Sequence, residues 1–407
     1  MEKEKLPVGW EWKKIKDICK VVSGSTPKTS VPDYWGGDIL WITPKDLSQF
    51  EGNTIYNTSR KITKKGYDSC STTLLPKGSV LMSSRAPIGL LAIAGKEICT
   101  NQGFKSFVCS DSIYNKYLYY YLKAIMPKIK YQGSGATFSE ISKTKVENIK
   151  IVIPPLATQQ EIVAKLDNQM AEIERIKKEA ENELINANSL YKSYLIKVFE
   201  NSGNWNFIKI GDIFSTRYGI SKSSVKDSSK TSALRMNNIT YEGKLVTDNI
   251  TYLDLTEDEF NKHKLKRQDL LFNRTNSAEL VGKTTVFDKD EDYVAVSYLI
   301  VATPKIKDIN SKFISYYLNT PCMKRYFFEN CNRAISQANF NATKLSNIKV
   351  PVPDSETQNI VVNKIEGISI EIDRLKEFLT KQNETINQLP ASILNEVFGK
   401  YEIPEEV

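Results

Sequence analysis

The sequence predicts an α+β protein with two globular, strand-rich domains at opposite ends of an antiparallel two-helix coiled coil, related by an internal pseudo-twofold repeat. Residues 148–160, NIKIVIPPLATQQ, recur as residues 347–359, NIKVPVPDSETQN. A long segment with helical periodicity follows each copy. Elsewhere, short β-like runs are bounded by Gly, Pro, Asn or Asp, which is typical of strands joined by turns.

The repeat keeps one constant offset. Asn148 and Asn347 lie 347 − 148 = 199 residues apart, and the same offset continues without a gap to Phe199 and Phe398. A gapless match indicates two copies of an element whose length is constrained. The preceding parts align only with insertions and deletions, as for KGSVLMSSR (77–85) and RQDLLFNR (267–274). We therefore divide the chain into globular domains at 1–154 and 201–353 and helical regions at 155–200 and 354–407.

Both helical regions carry a narrow apolar stripe with spacings of three and four residues, which is typical of a coiled-coil seam. A helix of about 40 residues is about 60 Å long, more than the width of a domain of about 150 residues, so each helix should pair with the other. The stripe comprises Ile162, Leu166, Met170, Ile173, Ile176, Ala180, Leu184, Ala187, Leu190 or Tyr191, Tyr194 and Val198, then Val361, Ile365, Ile368, Ile372, Leu375, Leu379, Ile386, Leu389, Ile393 and Val397.

The helix boundaries follow from prolines and threonines. We expect Thr158 and Thr357 to be the N-caps, because a proline precedes each of them and disfavours helix in the residue before it. Pro390 should kink the second helix near its end. Because a globular domain separates the two helices in the chain, we expect them to run antiparallel.

Each globular domain should contain one late helix, near 113–126 and 310–325, followed by a polar loop. These loops are QGSGATFSEISKTK (132–145) and NRAISQANFNATK (332–344). Lysine and backbone N–H groups contact phosphates, and Gln and Asn suit base edges. Two such loops at equivalent positions favour a binding function over ordinary surface loops.

Side chains suited to contacts with DNA occur in both globular domains. Arginine pairs with guanine and Asn or Gln with adenine by bidentate geometry, although each residue taken singly is more often an ordinary surface side chain. The candidates are Lys45, Arg85, Gln102, Lys105, Ser134, Lys143 and Lys145 in the first domain, and Arg235, Asn237, Asn238, Arg274, Asn276, Arg333, Gln337, Asn339 and Lys344 in the second.

Composition narrows the class of protein. The net charge of +8 fits a protein that contacts phosphates over a defined surface, and fits an ordinary basic protein about equally well. The charged N-terminal sequence does not resemble a signal peptide, and no apolar run reaches the ~20 residues of a membrane span. Six scattered cysteines and the single histidine, His263, argue against a zinc site. We expect buried, reduced thiols in a cytoplasmic protein.

Catalytic motifs are mostly missing. Gly282, Lys283 and Thr284 supply the second half of a phosphate-binding loop, but Ser277 stands where its first glycine is required. The prolines at 154 and 155 lack the polar and aromatic neighbours of an amino-methyltransferase site. No Ser/His or Cys/His pair is plausible, whereas a nuclease using only carboxylates stays open. We expect a recognition protein without catalytic chemistry.

The whole chain resembles the specificity (S) subunit of type I restriction–modification enzymes. The resemblance rests on LPVGWEWKKIKDI, GSTPKTSVPDYWGGDILWITPKDL, NIKIVIPPLATQQEIV, KRQDLLFNRTNSAELVGKTTVF and VPVPDSETQNIV. It implies that residues 1–154 and 201–353 are target-recognition domains, each recognising one half of a split, asymmetric DNA site. It also implies that the chain is itself non-catalytic.

The resemblance further implies partners. Two modification subunits would dock on the conserved regions and supply S-adenosylmethionine binding and adenine-N6 methylation. Restriction subunits would use ATP. The resemblance therefore implies S-adenosylmethionine, ATP and Mg only in the partner subunits. The docking candidates are Pro154, Pro155, Gln159, Gln160, Pro353 and Gln358. Asp354 and Asn359 replace Pro155 and Gln160 in the second copy, so docking could be unequal. Alternatives are a stand-alone DNA-binding regulator, a self-sufficient enzyme and a structural tether.

Overall fold

The structure, a computed structural model, describes residues 6–85, 87–133, 140–200, 205–334 and 337–399, without the side chains of 128–133. The chain divides into two units. Unit one comprises Met1–Ala180 with Gln382–Val407, and unit two comprises Glu181–Lys381. The long helices contribute to both units, so each is described below with the unit in which its residues lie.

Unit one is a mixed α+β domain. Its strands are β1 Glu11–Lys14, β2 Cys19–Ser23, β3 Trp35–Ile42, β4 Thr54–Ile55, β5 Arg60–Ile62, β6 Val80–Ser83, β7 Leu91–Ala94, β8 Cys99–Thr100, β9 Phe104–Cys109 and β10 Lys150–Ile153. Its helices are α1 Ile15–Ile18, α2 Pro44–Ser48, α3 Lys64–Asp68, α4 Asn115–Gly133, α5 Lys143–Asn148 and the first part of α6 Leu156–Glu200, with a 3-10 turn at Pro32–Tyr34. The strands form sheets of order β2-β9-β6-β7-β4 and β5-β3-β8, and a β1-β10 pair.

Unit two repeats this plan with different loops. Its strands are β11 Asn206–Lys209, β12 Phe214–Tyr218, β13 Ser224–Val225, β14 Thr231–Leu234, β15 Thr251–Leu253, β16 Leu270–Asn273, β17 Thr275–Asn276, β18 Thr284–Val286, β19 Tyr293–Ala295, β20 Leu299–Pro304, β21 Asn332–Arg333, β22 Ala338–Asn339 and β23 Lys349–Val352. Its helices are α7 Ile210–Ile213, α8 Glu257–His263, α9 Ser311–Leu318, α10 Pro321–Asn330, α11 Ala342–Ser346 and most of α12 Ser355–Phe398, with a 3-10 turn at Met236–Asn238. The sheets have the orders β12-β20-β16-β18, β13-β15-β14-β19, β17-β22-β21 and β11-β23.

The two units share a central sheet plan. The order β2-β9-β6-β7 in unit one corresponds to β12-β20-β16-β18 in unit two. The middle strands β6 and β16 are buried along their whole length, as their continuous apolar runs predict. The strand before each long helix closes its domain by pairing antiparallel with the first strand, β1 with β10 and β11 with β23. The repeat in the sequence is therefore a repeat of topology.

The late helix differs between the units. In unit one it is the single helix α4, whereas in unit two the predicted helix at 310–325 is two helices, α9 and α10. The break lies at Thr320, whose hydroxyl caps α10 by accepting a hydrogen bond from the Met323 N–H, and Pro321 occupies the first helical position. A single helix across this segment was the wrong prediction, because Thr-Pro starts a new helix.

The seam of the long helices repeats every seven residues. In α6 the buried positions include Leu166, Ile173, Ala180 and Ala187, and in α12 they include Ile365, Ile372, Leu379 and Ile386. The two sets differ by the same offset of 199. A strict seven-residue repeat is the pattern of a left-handed coiled coil, so the predicted seam is confirmed.

The pairing is antiparallel within each unit. In unit one, Ile173 and Ala180 of α6 pack with Ile386 from the late part of α12. In unit two, Tyr191 and Leu195 from the late part of α6 share a buried cluster with early residues of α12, including Ile365.

One predicted seam residue, Leu375, is exposed, and of the alternatives Leu190 and Tyr191 the structure selects Tyr191. Leu190 and Leu375 both face solvent, while Tyr191 is buried. With 3.6 residues per turn, an i+4 step returns to within about 40° of the same face, whereas an i+3 step is about 60° away. The seam after Ala187 therefore continues through Tyr191, and placing Leu375 in the stripe was wrong.

The long helices begin earlier than predicted. Helix α6 starts at Leu156 directly after Pro155, and α12 starts at Ser355 directly after Asp354. Thr158 and Thr357 thus lie inside the first turn, and the cap of α12 is Asp354, whose Oδ1 accepts from the Thr357 N–H at 2.8 Å. That backbone hydrogen bond lowers the pKa of Asp354. Proline at the start of a helix costs no hydrogen bond, which is why the helix need not wait for the threonine.

A buried glutamine fixes the start of each long helix to its domain. Gln159 is 0% exposed and Gln358 is 1% exposed. Gln159 Oε1 accepts from the Tyr114 N–H at 2.8 Å, and its Nε2 donates to the carbonyl oxygens of Ser112 and Pro154 at 3.0 and 2.9 Å. Gln358 repeats this arrangement with the Asn310 N–H and the carbonyl oxygens of Asp308 and Pro353. Each amide joins the helix start to the residues just before the late helix, α4 or α9.

An aromatic side chain fixes the end of each long helix. Phe398 at the end of α12 packs in unit one against Tyr117 and Tyr121 of α4, with ring centres 5.5 and 5.1 Å apart. Phe199 at the end of α6 packs in unit two against Phe313 and Tyr317, both at 5.4 Å. Each late helix therefore holds the start of one long helix and the end of the other.

We expect Gln159→Leu to lower the free energy of unfolding of unit one by about 2–3 kcal/mol, because it leaves buried backbone groups without their partners. Gln160→Leu is the matched control, since this neighbouring side chain is exposed, and it should change stability by less than about 0.5 kcal/mol. Urea titration of both variants measures the difference. Equal midpoints for the two variants would show that the buried amide does not hold the joint.

Candidate nucleic-acid interface

In unit two, a small three-stranded sheet assembles several candidate residues that are distant in sequence. Strand β17 pairs with β22, and β22 pairs with β21. The register places Asn276 opposite Ala338, Thr275 opposite Asn339, and Arg333 opposite Ala338. The described parts of the polar segment, 332–334 and 337–344, thus include two strands that join β17, just after the central strand β16, and are not the plain loop that the sequence suggested.

Arg274 is held rigidly next to this sheet. Its Nη1 donates to the Ser297 carbonyl at 3.2 Å, and its guanidinium carbon lies 4.6 Å from the centre of the Tyr218 ring. Its Nε is buried and has no hydrogen-bond partner within the described part of the chain. Tyr218 and Tyr298, whose carbonyl accepts from the Arg274 N–H, are both exposed. A half-buried guanidinium that is oriented by these contacts is suited to a guanine edge or a phosphate.

The neighbouring candidate residues differ in whether their side chains form hydrogen bonds or ring contacts within unit two. Gln337 is exposed. Asn276 Oδ1 accepts from the Ser277 N–H, and Asn339 Nδ2 donates to the Thr275 hydroxyl, both at 2.9 Å. Arg333 and Lys344 contact residues at the end of α10. Arg333 stacks on Phe328, and Lys344 Nζ donates to the Asn330 carbonyl and to Asn332 Oδ1.

The group at residues 235–238 forms a turn in unit two. Asn238 is buried, and its amide donates to the carbonyl oxygens of Val246 and Asn249 and accepts from the Arg235 N–H. Asn238 is therefore a structural residue, and its assignment to DNA contacts is corrected. Arg235 donates to Asn249 Oδ1 at 3.1 Å, and Asn237 is exposed.

In unit one, Arg85 and Lys105 both lie next to Glu140, and Gln102 bonds to Thr26. The backbone of Arg85 forms an isolated antiparallel β-bridge with Glu140. The Thr26 hydroxyl donates to Gln102 Oε1. The Lys105 Nζ lies 3.5 Å from Glu140 Oε1. Lys105 is buried and paired with a carboxylate. Its charge is therefore already balanced, and its assignment to phosphate contacts is corrected.

The other described candidates of unit one are exposed lysines. Lys45 in α2 is exposed, as are Lys143 and Lys145 in the first turn of α5. Lys143 pairs with Glu147 at 3.5 Å. Ser134 lies outside the described residues.

The two units connect their polar segments to the central strand in the same way. In unit one the Ile141 N–H donates to the Ser84 carbonyl, and in unit two the Phe340 N–H donates to the Arg274 carbonyl. Ile141 and Phe340 are again 199 residues apart. Ser84 therefore occupies the position of Arg274, although the segments KGSVLMSSR and RQDLLFNR both end in arginine. A one-residue shift along a strand places a side chain on the opposite face.

The docking candidates divide by exposure. Pro155 and Gln160 are exposed, Pro353 is half-buried, and Pro154 is buried. Gln159 and Gln358 are buried, and their side chains make their hydrogen bonds inside their own units. The prediction that these two side chains contact a partner subunit is therefore corrected. Asn359 accepts from the Asn310 side-chain amide at 2.8 Å.

The described ranges contain no metal-binding cluster and no membrane-spanning helix. No cluster of three or more His, Cys, Asp or Glu there could hold a metal ion. No helix in that part of the chain is long and apolar enough to cross a membrane. The six cysteines are free thiols, and Cys322 is exposed, contrary to the expectation that all are buried.

The partial phosphate-binding motif is a structural element. Residues Thr284–Val286 form strand β18, where a phosphate-binding loop would begin a helix. Lys283 is buried, and its Nζ donates to the carbonyl oxygens of Met236 and Ile239 at 2.9 and 2.5 Å. This lysine holds the turn at 236–238.

Comparison with known proteins gives a consistent result. The family model "Type I restriction modification DNA specificity domain" matches residues 7–186 and 202–393. The MjaIX specificity subunit of Methanocaldococcus jannaschii is 41% identical over 208 residues, which cover 50% of this chain and only 48% of that protein. The EcoKI specificity subunit of Escherichia coli is 23% identical over 98% of this chain and 90% of its own length.

A solved structure shows the same fold. One chain from a study of the assembly and conformational transition of the type I R-M system superposes with a TM-score of 0.73. The match covers 97% of this chain and 98% of the other at 18% identity.

We expect Lys283→Met to destabilise unit two by about 1–3 kcal/mol, because the Met236 and Ile239 carbonyls lose their donor. Lys226→Met removes the same charge from an exposed position and should leave stability unchanged. Thermal unfolding compares the two. Unchanged stability of Lys283→Met together with lost ATP binding would instead favour a nucleotide site.

Proposed function

The chain belongs to the type I restriction modification DNA specificity family, and on that premise we propose that it is the sequence-specific DNA-recognition subunit of a type I restriction–modification complex. Each unit recognises one half of a split, asymmetric site in double-stranded DNA. The observation that carries this proposal is the repeated attachment of a polar segment to the end of the central strand, at Ser84 and Ile141 in unit one and at Arg274 and Phe340 in unit two.

The subunit acts with partners in this proposal. Two modification subunits dock on the helical regions near the exposed Pro155 and Gln160, and restriction subunits complete the complex. S-adenosylmethionine, ATP and Mg are used by those partners, and this chain performs no chemistry. A stand-alone regulator is not favoured, because the relatives that span nearly the whole chain are specificity subunits of restriction enzymes.

The long helices set the spacing between the two half-sites. Their length is constrained at both ends, by a buried glutamine at the start and a phenylalanine at the end. The seven-residue seam allows length to change only in steps that keep it in register. Half-site sequence and half-site spacing are thus properties of different parts of the chain.

We expect Arg274→Ala to relax specificity at one position of a single half-site, at a cost of about 1–3 kcal/mol, if its fixed guanidinium contacts a base edge. Arg267→Ala, an exposed arginine of the same unit, is the control. Binding to a panel of singly substituted DNA sites measures the effect. Equal weakening at every site would assign Arg274 to a phosphate, and no change would remove it from the interface.

Inserting seven residues into both α6 and α12, at matching seam positions, should lengthen the spacer and leave both half-sites unchanged. Seven residues add about 10 Å of helix, or about three base pairs at 3.4 Å each. Mapping methylated adenines in cells with the modification partner reads out spacer and half-sites together. A seven-residue insertion in the exposed turn at 226–229 is the control. Altered half-sites, or an unaltered spacer, would contradict the role of the helices.

A further inference from the structure

Unit two contains a cavity of about 560 Å³ that none of the proposed roles uses. It lies between the late part of α6, the first turns of α10 and the turn at 241–242, with Lys376 of α12 at its edge. Its volume is in the range of pockets that bind small molecules. The candidate DNA-contacting residues of unit two do not line it.

The lining of this cavity is rich in cations. Lys192, Lys324, Arg325 and Lys376 face it, against two carboxylates, Glu242 and Glu279. Within the described residues, none of the four cations forms an ion pair. An excess of unpaired positive charge around a concave, partly enclosed space attracts anions.

Lys324 is the most constrained of the four. Its Nζ donates to the Tyr241 carbonyl and lies 3.4 Å from the centre of the Tyr241 ring. Lys192 also lies over that ring, at 5.6 Å. Two ammonium groups thus converge on one aromatic ring at the cavity wall.

The environment of Lys324 disfavours its charge. The pKa of Lys324 is lowered to about 8, mainly by burial; Glu242 opposes this shift, and repulsion from Lys192 and Lys283 adds to it. A bound anion would favour the charged form. The four cations around the cavity are therefore not fully balanced by the carboxylates that line it.

We propose that this cavity binds a phosphate group, either of a free polyphosphate or of a nucleic-acid backbone. Several lysine and arginine side chains around one cavity can neutralise several phosphate oxygens at once, and arginine provides bidentate contacts. The site goes beyond the proposed function, since it does not depend on which bases the chain recognises.

Calorimetric titration of the full chain with inorganic triphosphate at low salt tests the site. We expect saturable binding, and at least a tenfold loss of affinity in the double variant Lys192→Met/Arg325→Met, which replaces two exposed side chains. Lys364→Met, an exposed lysine of α12 outside the cavity, should bind like the wild type. No binding by the wild type, or equal affinity in the double variant and the control, would overturn the proposal.

The pH dependence gives an independent readout. Lys324 is charged below its pKa, so affinity should be highest below pH 8 and fall up to about tenfold by pH 9. Lys324→Met should bind weakly and lose this dependence. A wild-type affinity that is constant from pH 7 to 9 would exclude Lys324 from the site and overturn this arrangement.

DNA-binding measurements distinguish the two possible sources of the phosphate. If a DNA backbone phosphate occupies the cavity, triphosphate should compete with non-specific DNA for binding. The DNA affinity of the double variant should then fall less steeply with salt concentration, by the slope of about one phosphate contact. If the ligand is a free polyphosphate, DNA binding is the same in the double variant and in Lys364→Met while triphosphate binding is lost. Either result supports phosphate binding.

Discussion

The structure depends on how the two ends of each long helix are fixed. At the start, a buried glutamine amide satisfies three backbone groups, two of them next to the late helix. At the end, a phenylalanine packs among aromatic rings of a late helix. Burying an amide is favourable only when its hydrogen bonds are made, so the start of the helix has a single acceptable position. This double anchoring explains why the repeat tolerates no gap between Asn148 and Phe199.

The globular domains face a weaker constraint, and they vary accordingly. Their central sheets share one strand order, but the segments around them differ: α4 is one helix, whereas α9 and α10 are two. Loops on the surface can change length with little effect on the core. A chain built this way can change what it recognises without changing the helices, which fits the proposed separation of half-site sequence from spacing.

Polar residues in this protein serve two purposes that look alike in the sequence. Asn238, Lys105, Lys283 and the two buried glutamines satisfy backbone groups or a carboxylate inside their units. Arg274 is partly held in the same way but keeps an unpaired donor and exposed tyrosines beside it. Burial with hydrogen bonds made inside the unit, rather than residue type, identifies the structural group.

The sequence by itself determined the repeat, the strands of the central sheets, the antiparallel seam and the absence of a complete phosphate-binding loop, because periodicity and spacing are local properties. It placed the helix caps at Thr158 and Thr357, three residues later than the structure has them. Only the tertiary structure decided that Gln159 is buried, that Ser84 corresponds to Arg274, and that Lys192 and Lys324 meet at one ring. Those facts depend on contacts between residues far apart in the chain, which no local pattern encodes.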